Sequence, residues 1–153
     1  MKLIDILPET LLIADLKGNN KEAVLREMAE RMAANFPEID ATRLVEVLWE
    51  RERLGSTAIG DGIAIPHGKL ANVKGVLAAF GRHSTGVDFD SLDGKPTRLV
   101  FLLVAPADSV GLHLKALARV SRLLKEPDFR QRLLTTADEK SLYRAMREED
   151  EKY

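Results

Sequence analysis

The sequence predicts a single α/β domain with a largely parallel sheet, and three observations carry that expectation. Two runs, residues 76–80 and 99–104, are continuously apolar, the pattern of strands covered on both faces. Around them lie stretches whose apolar residues recur at helical spacing,. The 153 residues suffice for one hydrophobic core, burying roughly two thirds of the surface of the unfolded chain.

A short strand is expected over 11–16, after which Gly18 and Asn19 break the pattern and Asn20 can cap a helix running to about Asn35,. The inward stripe of that helix is Leu25, Met28, Ala29 and Met32. Pro37 separates it from a second helix capped by Asp40, with Leu44, Val47 and Leu48 inward and Gly55 as its stop,. The two form a hairpin. Residues 55–68 are glycine-rich with one proline, so an ordered loop with a short extended piece at 63–65 is expected there, together with the chemistry,. A short strand near 87–89 accompanies the two apolar runs. From 108 to 125 Ala116, Leu117, Val120 and Leu124 continue a helical spacing begun by His113,. Pro127 ends that helix, Asp128 and Asp138 cap two further short ones, and residues 148–153 form a charged tail expected to fray,. One domain, 1–153, accounts for the chain.

Composition narrows the function. Charged residues make up 31% and hydrophobic ones 45%, ordinary for a soluble globular chain. With 23 basic and 24 acidic side chains the formal net charge is −1, so no overall field draws nucleic acid or anionic lipid. The absence of cysteine excludes disulfides and thiolate metal sites and fits the cytoplasm. The first residues lack a secretory pattern, and the longest apolar run, 99–107, falls far short of the about 20 residues that span a bilayer,. No direct membrane insertion is expected.

Three histidines stand at 67, 83 and 113. His67 lies in Ile63-Ala64-Ile65-Pro66-His67-Gly68-Lys69: Pro66 restrains the approach, Gly68 admits a substrate close to the backbone, and Lys69 adds positive charge,. On spacing alone Pro-His-Gly reads equally as a turn with an exposed histidine. His113 falls near a helix N-terminus, where the dipole disfavours its protonation, or it is a core histidine on an apolar stripe. His83, in Arg82-His83-Ser84-Thr85-Gly86, reads as surface. The three lack the close spacing of zinc motifs. Residues 55–61 have P-loop glycine spacing, yet Asp61 replaces the lysine and a helix precedes them, which excludes that reading,. No Gly-x-Ser-x-Gly elbow exists, leaving Ser56 and Thr57 as hydrogen-bond donors,. Arg51, within Glu50-Arg51-Glu52-Arg53, either neutralises a phosphate or belongs to a solvated charge run,.

Taken together, Glu52, six intervening residues, and Ile59-Gly60-Asp61-Gly62-Ile63-Ala64-Ile65-Pro66-His67-Gly68 resemble the phosphohistidine signature of the mannitol/fructose-type (type 2) enzyme IIA family of the sugar phosphotransferase system. A second block, His113-Leu114-x-x-Leu117-x-x-Val120-Ser121-x-Leu123, is also similar to the family, so the resemblance covers nearly the whole chain. It implies a mixed, mostly parallel sheet of about five strands flanked by helices. It implies that His67 carries the phosphoryl group, that His113 is the imidazole beside it, and that Arg51, sixteen residues before His67, faces the phosphate. Ser56, Thr57, Gly68 and Lys69 are supporting residues. The resemblance further implies a phosphocarrier needing no cofactor or metal, charged by phospho-HPr or a nitrogen-type paralogue. Ile-Pro-His-Gly-Lys and Ser91-Leu-Asp-Gly-Lys-Pro96 look most like the nitrogen-regulatory branch, a free-standing domain acting as a switch on downstream target proteins. The alternatives are a free-standing fructose or mannitol enzyme IIA that donates to a separate IIB protein, and an interaction module without transfer.

Overall fold

The computed structural model describes residues 1–153. It contains β1 (Leu12–Ile13), α1 (Lys21–Asn35), α2 (Ala41–Arg53), β2 (Ala58–Gly60), β3 (Ile63–Ala64), β4 (His67–Leu70), β5 (Leu77–Val87), β6 (Thr97–Pro106), α3 (Val110–Leu124), α4 (Pro127–Thr135) and α5 (Glu139–Glu151). The strands form one mixed sheet in the order β1-β5-β6-β3-β2, with β4 also paired to β6. β1 runs parallel to β5, and β3 and β4 parallel to β6, whereas β5 with β6 and β2 with β3 are antiparallel. The sheet therefore has six strands where about five are expected, and three of its five pairings are parallel.

Alternation along β6 explains why its sequence shows no alternation of polarity. Leu99, Phe101 and Leu103 face a core with Phe80, Ala116, Val120, Phe129, Leu142 and Met146. Val100, Leu102 and Val104 face the opposite core with Val24, Leu25, Met28, Leu44 and Leu48. Helices α3, α4 and α5 cover one face and the α1–α2 hairpin the other, so both faces of a strand with period two must be apolar. Three of the four expected caps fall as the sequence predicts. Asn20 Oδ1 accepts from the Ala23 amide at 2.8 Å, Asp40 Oδ1 from Thr42 at 3.0 Å, and Asp138 Oδ1 from Ser141 at 2.8 Å,.

Four expectations are corrected. Residues 76–80 and 87–89 are not separate strands: β5 runs unbroken through the polar stretch 81–86. His83 is not a surface residue; it is buried, its Nε2 2.9 Å from the Gly18 carbonyl and its Nδ1 accepting from the Gly86 amide at 2.9 Å. Asp128 does not cap α4: Glu126 is the cap and Pro127 takes the first helical position, where its missing N–H costs nothing,. Residues 148–151 do not fray either. They are the last turn of α5, in which Asp150 is buried, accepting from Arg119 Nε at 2.9 Å and from the Ile4 amide at 3.2 Å. A buried carboxylate with an arginine partner ties the end of the chain to α3 and to the N-terminus.

Candidate functional site

β3 and β4 lie along the same edge of β6 in one register, Ile63 opposite Leu99 and His67 opposite Leu103. Pro66 interrupts them because its nitrogen cannot donate to the ladder, although its carbonyl still accepts from Leu103 N at 2.9 Å,. His67, the next residue, opens β4 half-buried. Its Nδ1 stands 2.8 Å from the Ile65 carbonyl. A carbonyl only accepts, so Nδ1 carries the proton and the lone pair of the neutral ring sits on Nε2.

Arg51 meets that nitrogen. Its Nε donates to His67 Nε2 at 3.3 Å, and its Nη1 donates to the Gly55 carbonyl at 2.8 Å, which holds the guanidinium against that ring nitrogen. The last turn of α2 thus delivers a permanent cation to the one unprotonated nitrogen of His67. Gly68 makes this approach feasible. A Cβ there would lie 2.5 Å from Val47 Cγ1 on α2, far inside van der Waals contact and against a stiff side chain. We expect Gly68→Ala to lower stability by about 1–3 kcal/mol and to slow any reaction at His67, since the clash pushes α2 away from β4. Thermal melts and an assay of His67 phosphorylation check both effects.

His113 completes the centre from the opposite face. It lies in the first turn of α3, its amide donating to the Ser109 carbonyl at 3.1 Å. Its ring centroid is 5.2 Å from that of His67, the planes at 58°. The side chain is buried and its Nδ1 has no hydrogen-bond partner.

Both imidazoles are held below the ordinary histidine value of 6.5. Burial is the main cause at His67, opposed by the Ile65 hydrogen bond and aided by the Arg51 charge. Burial is again the main cause at His113, followed by the charges of His67 and Lys69. Both shifts favour the neutral ring near neutral pH, the form in which His67 Nε2 keeps its lone pair,. The neutral form persists above the unfolded value of 6.5 and is lost as pH falls through the lower folded one,. Reaction at His67 is therefore expected to be flat near neutrality and to fall only on an acid limb below pH 6.5,. A pH–rate profile between pH 5 and 8, the span in which histidine changes charge, checks this.

The structure brings His67, Arg51 and His113 together, with Gly68 as the contact to α2. Lys69 is exposed two residues further along β4 and adds positive potential at His113. Ser56 and Thr57, read from the sequence as hydrogen-bond donors, both donate to partners within the protein. The Ser56 hydroxyl donates to the Phe89 carbonyl and accepts from the Ala58 amide at 3.0 Å. The Thr57 hydroxyl donates to Glu52 Oε2 at 2.5 Å. Sequence reasoning missed Lys21, which is buried against Glu52 at 2.8 Å. No signal marked it, because a lysine in the first turn of a helix ordinarily points to water.

Comparison with known proteins identifies the family and the fold. A nitrogen regulatory protein from Bradyrhizobium diazoefficiens is 41% identical over 143 residues, covering 94% of this chain and 93% of the relative. The fructose-specific EIIABC component of Bacillus subtilis is 36% identical over 150 residues, covering 98% of this chain and 24% of that longer protein. The crystal structure of nitrogen regulatory protein IIA-Ntr from Neisseria meningitidis superposes with a TM-score of 0.85 at 31% identity, over 93% of this chain and 97% of the other. Residues 5–149 match the family described as phosphoenolpyruvate-dependent sugar phosphotransferase system, EIIA 2, and the chain belongs to that family.

Proposed function

We propose that the protein is a cytoplasmic phosphocarrier that accepts a phosphoryl group on Nε2 of His67 from a phosphorylated HPr or its nitrogen-type paralogue, and that it acts mainly as a regulatory switch. The observation that carries this reading is the hydrogen bond of His67 Nδ1 to the Ile65 carbonyl, which leaves Nε2 unprotonated against Arg51.

In the transfer the lone pair of Nε2 attacks the phosphorus of the donor phosphohistidine in line. The new Nε2–P bond forms as the donor N–P bond breaks, and that electron pair returns to the donor imidazole. His67 keeps its Nδ1 proton, and the Ile65 carbonyl steadies the positive ring of the product. Charge spreads over the phosphoryl oxygens in the transition state, so Arg51 acts by position and field, and His113 by offering a ring N–H. Exposed Leu54, three residues after Arg51, and Leu112 and Leu114, which flank His113, give a carrier apolar surface beside the site,.

The regulatory reading rests on the 41% identity to a nitrogen regulatory protein across nearly both full lengths. The 36% identity to the fructose-specific component favours a second reading, a sugar enzyme IIA that passes the group to a cysteine on a separate IIB protein. Incubating the phosphorylated protein with a fructose-type IIB distinguishes them. Retention of the phosphate supports the switch, whereas rapid transfer establishes the sugar-transport role.

A further inference from the structure

Arg51 and His67 arise from different elements, yet their supports converge on one buried carboxylate. Glu52 follows Arg51 directly, and a rotation of about 100° per residue turns its side chain inward. There it is only 7% exposed. Glu52 Oε1 pairs with Lys21 Nζ at 2.8 Å and accepts from the Thr57 amide at 3.1 Å, while Oε2 accepts from the Thr57 hydroxyl. The Thr57 carbonyl in turn accepts from Ile65 N at 3.0 Å, and the Ile65 carbonyl receives His67 Nδ1–H. A continuous path thus runs from Lys21 through Glu52, Thr57 and Ile65 to the reacting ring. Lys21 is itself buried, with Asp90 Oδ2 at 3.3 Å and the Phe89 ring centroid at 5.5 Å.

We infer that Lys21, Glu52 and Thr57 are positioning residues for the phosphoryl-accepting centre. Glu52 fixes Arg51 through the helix and His67 through Thr57 and Ile65, and Lys21 offsets part of the carboxylate charge that acts on His67. The inference rests on His67 being the acceptor. It assigns a function to a buried ion pair that stability alone does not require, since apolar residues of similar volume replace such pairs at little cost. The charged and titratable groups around His67 are Arg51 and Glu52 from α2, His113 from α3 and Lys69 from β4. Among these Glu52 is the one acid, and it favours the protonated ring. Removing Lys21 leaves that acid uncompensated. Removing Glu52 leaves Lys21 as an added cation.

The test combines NMR titration of the His67 ring with steady-state transfer from phosphorylated HPr. Lys21→Met is expected to move the His67 titration upward and Glu52→Gln to move it downward, with the double variant between them. A role confined to stability would lower the melting temperature of all three without ordering the titration by sign. Thr57→Val changes no charge. It is expected to lower kcat by about 10-fold to 10²-fold, the cost of a small misplacement of a reacting group, with KM for the carrier unchanged and Thr57→Ser restoring turnover. Equal or absent titration shifts in the charge variants, or full kcat in Thr57→Val, overturn the inference. The titration needs no donor, so correctly ordered shifts in a protein that never accepts phosphate would uphold this arrangement and overturn the carrier reading instead.

Discussion

His67→Ala is expected to abolish phosphoryl acceptance while leaving the fold intact. The residue opens β4 on the sheet edge, half-buried, and its ring makes one hydrogen bond to a carbonyl and receives one from Arg51. Alanine keeps the backbone ladder to Leu103 and removes only the nucleophile. His113, whose side chain is buried and whose Nδ1 is shut off from solvent, is not expected to take over. The loss is therefore complete rather than graded. Circular dichroism and a thermal melt alongside the phosphorylation assay separate the missing nucleophile from misfolding. Residual labelling of a folded His67→Ala protein would place the acceptor elsewhere.

Arg51→Ala and His113→Ala are each expected to slow transfer by about 10² to 10³-fold, the range for removing one preorganised donor to a developing anion. The two approach His67 from different helices, Arg51 on α2 at 3.3 Å from Nε2 and His113 on α3 with its ring centroid 5.2 Å away. Arg51→Lys should recover little. Lysine lacks the fork by which arginine holds the Gly55 carbonyl and the ring at once,. Single-turnover rates with phosphorylated donor measure both variants, and unchanged rates in both would refute the assigned roles.

The helices were readable because their ends are chemically marked. Asn20, Asp40 and Asp138 each cap the helix expected of them, and the apolar runs in β5 and β6 report burial from both sides. What escaped the sequence are places where polar side chains are buried by backbone partners. Arg82 and His83 read as a polar loop, yet the Arg82 guanidinium gives Nε to the Ala14 carbonyl at 3.0 Å and Nη1 to the Leu133 carbonyl at 2.8 Å. Acceptors far apart in sequence leave no local pattern. The C-terminal turn misled for the same reason, since the partner of Asp150 is Arg119, thirty-one residues earlier.

At the site, local chemistry marked His67 as reactive no more strongly than as an exposed turn residue. The similarity of residues 52–68 to a family signature singled out His67 and, with it, Arg51 and His113. The folded chain adds a reason for the wording of that signature. Ile65 presents the carbonyl that sets the His67 tautomer, Pro66 leaves the ladder open, Gly68 admits α2, and Glu52 anchors Thr57.

The most direct measurement is intact mass and phosphorus-coupled NMR of the protein after incubation with phosphoenolpyruvate, enzyme I and HPr, or their nitrogen-type paralogues. A single acid-labile phosphoryl group on Nε2 of His67 is the predicted result. A phosphate on Nδ1 or on another residue, or no adduct from either donor chain, would contradict it.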